Sequence, residues 1–243
     1  IFFGHDVTSL GVVPYEAEDA GPVQAHASEL GLKTSHACRA YGPPLIGGHA
    51  GADALADILA CGMHRDDTIN MLIDIGTNGE VAIGNRERIM TASCAAGGAY
   101  EGATIGCGCG AIDGAIKNIW LHDGRVDFET IGSKPPVGIC GSGLIDLLAE
   151  MLRSGAMSPN AKIDGDFHVT DSIHIGQQDI YQLITAKAGL RTDQDLLMKY
   201  YGTPLDQVQK LYLAGGFGNF INAENAVAIG LLPDAAEKVV RVG

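Results

Sequence analysis

The residues with the most chemical content in this sequence are Asp74, Gly76, Thr77, Asn78 and Glu101. Asp74 stands within Met71-Leu72-Ile73-Asp74-Ile75-Gly76-Thr77-Asn78-Gly79-Glu80, an apolar run and a polar turn that lead into the alternating run Val81 to Asn85. A carboxylate between two isoleucines is costly unless something neutralises it. A hydrated Mg²⁺, held through one or two carboxylates and phosphate oxygens, is such a partner. Gly76 and Gly79 let the backbone approach a bulky anion, and Thr77 and Asn78 add donors; a turn of this kind can present N–H groups to phosphate. An ordinary β-hairpin accounts for the same letters, because Asn-Gly is also the strongest short hairpin signal. Glu101 follows the small-residue stretch Ala92 to Tyr100. It could activate a water or orient Mg²⁺, or it could be a carboxylate at a helix start with no chemistry to perform.

Two glycine-rich turns extend the set. Gly141-Ser142-Gly143 joins the apolar Val137 to Cys140 to a helix predicted from Leu144 to Arg153. Such a junction binds anions through free N–H groups and the helix dipole, and it also serves as tight packing. Ser142 has no G-x-S-x-G setting and no arranged His/Asp companions, which argues against a serine hydrolase. Gly215-Gly216 follows the strand-like Lys210 to Ala214, where bare backbone can lie flat against a planar ring. Cys107-Gly108-Cys109 is tighter than the usual C-x-x-C, and His5, His26 and His36 are isolated. Asp53 is either a dipole partner for its own helix or a carboxylate aimed into a cleft.

The positioning elements follow from pattern. A helix is predicted over 54–63, with Leu55, Ile58, Leu59 and Gly62 at core spacing. Val23 to Leu30 is helix-compatible, with Gly31 placed to cap it. Glu87 to Thr91 reads as a strand end, and Gly110 to Trp120 as a strand or helix edge. Asp123-Gly124 turns into the strand Val126 to Ile131. Gly155 to Gly176 is irregular, with two strand-like pieces. Two helices follow, 179–188 and 192–201, the second capped by Thr192 with Asp195 three residues on. A last helix spans 221–229, ended by Gly230.

Length, composition and charge set the bounds. The 243 residues suit one large domain or two lobes, with 46% hydrophobic content and a mean hydropathy of +0.13. A net charge of −13 argues against nucleic acid or an anionic membrane as a main partner. No run approaches the roughly 18 apolar residues of a membrane helix and no signal-peptide pattern is present, so a cytoplasmic location is expected. Six cysteines in a chain this size do not make a disulfide framework. Ile1 in place of Met, and an end at Val242-Gly243 just after an apolar run, read as cut ends of a longer protein.

Taken together, these pieces resemble the acetate/sugar kinase–chaperone–actin (ASKHA) superfamily and, more narrowly, the ATPase domain of reductive activators of corrinoid proteins. The resemblance runs through most of residues 43–243. It is carried by the helix from Gly51-Ala52-Asp53, by Asp74 to Glu80, and by Ser93-Cys94-Ala95-Ala96-Gly97 with Glu101-Gly102. Gly138-Ile139-Cys140-Gly141-Ser142-Gly143-Leu144-Ile145-Asp146 and Leu213-Ala214-Gly215-Gly216-Phe217-Gly218 complete it. It implies an α/β, ribonuclease-H-like fold: a mixed, largely parallel-cored sheet with helices on both faces. Residues 1–70 would be the remainder of a first lobe with a connecting helix, and 71–243 a second lobe. It also implies ATP and Mg²⁺ as cofactors, with Asp74 as the metal ligand and Glu101 beside the reacting water. Gly76, Thr77, Asn78, Gly141 and Ser142 would serve phosphate, and Gly215 and Gly216 would flank adenosine. The activity implied is ATP hydrolysis coupled to return of a Co(II) corrinoid protein to Co(I) for methyl transfer, with room for a homodimer. Residues 106–109 depart from the family's pattern. The family's [2Fe–2S] domain and first phosphate loop have no counterpart in the sequence. A small-molecule kinase and a non-catalytic scaffold of the same fold are the alternatives.

Overall fold

The computed structural model describes residues 2–35, 37–96 and 98–242. His36 and Gly97, both noted above, lie outside the described residues. In chain order the elements are β1 (Val23–His26), β2 (Arg39–Gly42), α1 (Ala52–Cys61), β3 (Asn70–Ile75), β4 (Gly79–Gly84) and β5 (Ile89–Cys94). Next come β6 (Ala115–His122), β7 (Arg125–Thr130), β8 (Gly138–Ile139), α2 (Gly141–Ser154), β9 (Phe167–His168), β10 (His174–Ile175) and α3 (Gln177–Tyr201). The chain closes with β11 (Leu211–Ala214), α4 (Gly215–Gly218), α5 (Ala223–Ala228) and β12 (Val239–Arg241).

The main sheet has the order β12-β11-β3-β4-β5. Its β12-β11 and β11-β3 pairs are parallel, whereas β3-β4 and β4-β5 are antiparallel hairpin neighbours. The sheet is therefore mixed, and its parallel part is confined to one side. A second sheet, β7-β6-β8, pairs β6 antiparallel to β7 and parallel to β8.

Period-two alternation divides the apolar residues between two faces. Met71, Ile73, Val81 and Ile83 join Ile116, Leu144, Leu147, Leu183 and Leu190 in the larger core, under α2 and α3. Leu72, Ala82 and Tyr212 face the other way and pack with Ile58 of α1 and Met63. Each fully buried aliphatic side chain contributes about 1.5–3 kcal/mol, so both faces are anchored. Helices cover both faces as expected. On α1, however, Ala54 and Ile58 are buried while Leu59 is 52% exposed, because the helix turns its Ala54 stripe to the sheet.

Two element expectations are overturned. Val23 to Leu30 is not helical: β1 pairs with β2 in antiparallel register, and a turn follows. The two helices predicted over 179–201 are one, α3. Thr192 does not cap it; its hydroxyl donates to the Ala188 carbonyl at 2.7 Å inside the helix. Asp179 accepts from Gly176 N at 3.1 Å at the true start, and from Gly106 N at 2.8 Å. Farther along α3, the Leu183 carbonyl accepts from the Tyr100 hydroxyl at 3.1 Å, and Gln194 Nε2 donates to the Leu231 carbonyl at 3.0 Å. Between them, Leu190 lies against Gly79, where a Cβ would meet its Cδ1 at 2.7 Å.

Candidate functional site

Alternation along β3 places Asp74 on the same face as Leu72, toward α1. The register sets Glu80 directly opposite it on β4 and Ala214 opposite it on β11. Asp74 thus stands at the carboxyl ends of two parallel strands, which is where open α/β sheets bind ligands. On α1, Asp53 and Asp57 are one turn apart on the stripe facing β3. Asp53 Oδ1 accepts from Ala54 N at 2.8 Å, consistent with a helix-start role. Asp57 reaches Asp74. Burial first, then its contact with Asp74 and the charges of Asp74, Asp53 and Glu80, raise its carboxyl to about 7. Asp74 is also raised, by burial first and by Asp53, while its contact with Asp57 acts in the opposite direction. Glu80, nearly fully buried, is raised by burial and by Asp53 and Asp74, and it accepts from the Ser93 hydroxyl at 3.2 Å.

These four acids carry a negative field. Among the described residues no ion pair involves any of them. Asp57 Oδ2 is buried with no hydrogen-bond partner. Among the described residues no group of three or more His, Cys, Asp or Glu side chains is placed to hold a metal ion. The Asp74–Asp57 pair, with Asp57 Oδ2 unpartnered, suits Mg²⁺, which takes one or two carboxylates and completes its shell with water and substrate oxygens.

The turn after β3 leaves Thr77 and Asn78 exposed, and Gly76 N donates to the Asn78 carbonyl at 3.0 Å. Thr77 Oγ1 donates to Glu101 Oε1 at 2.7 Å, which ties this turn to the loop after β5. Glu101 lies at the edge of a cavity of about 800 Å³ with Tyr100, Lys117, Ser142, Gly216 and Phe217 around it. The Tyr100 and Phe217 rings stack with centroids 6.1 Å apart and an interplanar angle of 26°.

Gly215 and Gly216 follow β11 directly and open the short α4. Gly215 has φ +84°, and a Cβ there would run into Asp74 Oδ1 and sit 3.2 Å from the Ile75 carbonyl. Its neighbour Gly216 lines the cavity. The helix α2 begins at Gly141, three residues earlier than predicted. Gly141 has no room for a side chain, because Tyr100 O and the Phe217 ring occupy that space. Ser142 is buried and its hydroxyl donates to the Lys117 carbonyl at 2.8 Å.

The structure therefore brings Asp74, Gly76, Thr77, Asn78 and Gly215 together at the sheet edge, and Glu101, Gly141, Ser142 and Gly216 around the cavity. Sequence reasoning passed over Asp57 and Glu80. A signal existed for each: Asp57 is an acid four residues after Asp53 on a largely apolar helix, and Glu80 alternates in phase with Ala82 on β4. Asp146, quoted only within a motif, is buried on α2, where its carboxylate accepts from Asn225 Nδ2 at 2.6 Å and Asn118 Nδ2 at 3.2 Å. Cys107 and Cys109 are free thiols, as are the other four cysteines.

Comparison with known proteins places this geometry. Residues 68–243 match the family model described as the C-terminal domain of RACo, the ASKHA domain, and residues 1–66 match the RACo middle region. The corrinoid activation enzyme RamQ of Eubacterium limosum is 35% identical over 219 residues, 78% of this chain and 37% of that protein. The [Co(II) methylated amine-specific corrinoid protein] reductase of Methanosarcina barkeri is 30% identical over 241 residues, 89% of this chain and 45% of that protein. A solved reductive activator for a corrinoid, iron-sulfur protein superposes over 100% of this chain and 42% of its own, with a TM-score of 0.90 and 32% identity. The chain spans less than half the length of each of these relatives. With the mixed sheet and these matches in agreement, the chain belongs to the RACo family and carries its middle region and its ASKHA-fold C-terminal domain.

Proposed function

We propose that this chain is the nucleotide-binding part of an ATP-dependent reductive activator that returns a corrinoid protein from Co(II) to Co(I) for methyl transfer. The observation that carries the reading is the double link between Asp74 and the cavity. Gly215 packs on Asp74 while Gly216 lines the cavity, and Thr77 is bonded to Glu101 at its edge. A corrinoid partner is supported by what the relatives act on.

In this reading Asp74, with Asp57 beside it, would hold Mg²⁺, which when bound offsets phosphate charge. Gly76, Thr77 and Asn78 offer donors to the phosphates, and Gly141 and Ser142 add the N-terminus of α2. Gly215 and Gly216 flank adenosine beside the Tyr100 and Phe217 rings. Glu101, its carboxylate fixed by the Thr77 hydroxyl, orients the attacking water. The electrons come from a [2Fe–2S] domain outside this chain. Residues 1–70, ending in α1 and its following turn, complete the first lobe, and 71–243 form the second. The protein works in the cytoplasm, in keeping with the lack of any described helix long and apolar enough to cross a membrane.

The test is calorimetric titration of ADP into the full-length protein and its Asp74→Asn variant, with Mg²⁺ and with chelator. Wild type binds in a Mg²⁺-dependent way, and the variant binds at least about tenfold more weakly, a loss of about 1.4 kcal/mol. ATP-driven reduction of a Co(II) corrinoid protein, followed by absorbance, falls with it. Equal affinity in the variant, or binding indifferent to Mg²⁺, refutes the assignment.

A further inference from the structure

We propose that Cys109 and Cys140 form a dithiol that a disulfide oxidant joins into an intramolecular cystine. Backbone geometry carries this, independently of the nucleotide reading. The segment carrying Cys109 runs alongside β8: Gly108 bridges Ile139 in parallel. Ile139 N donates to the Cys107 carbonyl at 2.8 Å, and Cys109 N donates to the Ile139 carbonyl at 3.0 Å. Cys109 and Cys140 are the next residues along the two segments.

The side chains share a face. Residues 138 and 140 alternate to the same side, and a Cβ on Gly138 would lie 2.9 Å from Cys109 Sγ. Both cysteines line the same cavity. Neighbouring strands run about 4.8 Å apart, within the Cα spacing of about 4.4–6.8 Å that disulfides use. Burial and the nearby Cys140 both raise the Cys109 thiol, so exchange through its thiolate quickens as pH rises.

The chemistry balances with a low-molecular-weight disulfide such as glutathione disulfide as oxidant. The Cys109 thiolate, on the more open of the two residues, attacks one sulfur and releases one glutathione thiolate. Cys140, freed from its 3.3 Å contact with the Ile116 carbonyl, attacks the Cys109 sulfur and expels the second. Two thiols are oxidised, one disulfide is reduced, and both protons leave on glutathione. The new bond ties the 107–109 segment to the residue that immediately precedes α2, at the wall of the cavity.

The chain, purified reduced, is incubated with excess glutathione disulfide at about pH 8.5, alkylated, digested and mapped by mass spectrometry. Wild type yields a linked Cys109–Cys140 peptide. Cys140→Ser stops at a mixed disulfide of Cys109 with glutathione, and Cys94→Ser still gives the linked peptide. Absence of the linked peptide in wild type, or pairing of Cys109 with Cys107 instead, overturns the proposal.

Discussion

Replacing Gly215 with alanine tests whether the start of α4 is fitted to Asp74. Two costs separate at this position. An L-residue at φ +84° loses about 1–2 kcal/mol. The added Cβ then meets Asp74 Oδ1, and overpacking of this kind costs about 1–3 kcal/mol more. Gly202 provides the reference: it sits at φ +85°, closes α3, and has nothing within 4 Å of the place a Cβ would take. Gly202→Ala should therefore lose about 1–2 kcal/mol and Gly215→Ala about 2–5 kcal/mol in urea unfolding without divalent cation. Combining Gly215→Ala with Asp74→Ala removes the obstructing carboxylate and should recover about 1–3 kcal/mol of that loss as a coupling energy. A Gly215→Ala loss equal to that of Gly202→Ala, or additivity of the pair within about 0.5 kcal/mol, refutes the reasoning.

Asp57→Asn should change the pH dependence of stability. The folded carboxyl titrates near 7 against an ordinary value of 3.8, so between those values the folded chain keeps a proton that the unfolded chain loses. Stability therefore falls as pH rises through that window and stays reduced above it. The full shift corresponds to about 4 kcal/mol, which solvent screening of this half-buried group reduces to about 1–2 kcal/mol. The variant should gain that amount at pH 8 and almost nothing at pH 4, and an equal gain at both pH values would exclude the mechanism. Gly189 lies inside α3, and a Cβ there would make ordinary contact with Cys94 at 3.7 Å. Gly189→Ala should stabilise by about 0.5–1 kcal/mol in thermal or urea unfolding, and a loss of stability would show that the helix is strained there.

What the sequence disclosed was local. Asn78-Gly79 and Asp123-Gly124 announce their hairpins because turn geometry is decided within a few residues. Gly230, expected to end the last helix, lies at φ +74° just past α5, whereas Gly62, expected at core spacing, is the left-handed C-cap of α1. The failures are long-range. Val23-Gln24-Ala25-His26 becomes a strand only because Arg39 to Gly42 pairs with it. Thr192 marks a helix start that does not occur, since α3 runs through it as one helix packed on β4 and β5. The site divides along the same line. Asp74 and its turn were legible from their letters. Asp57 was not, because its meaning lies in a carboxylate seventeen residues away that only the α1–β3 packing brings to it.

The unbroken course of α3 has a consequence for hydrogen exchange. At 25 residues it is about 37 Å long. Along that length it receives the Tyr100 hydroxyl, holds Gly106 through Asp179, supports Gly79 with Leu190, and fastens Leu231 through Gln194. The loop beneath the cavity and the root of the Asp74 turn thus share one cooperative unit. Their protected amides would not open one loop at a time; they would exchange with the central amides of α3, at a common free energy.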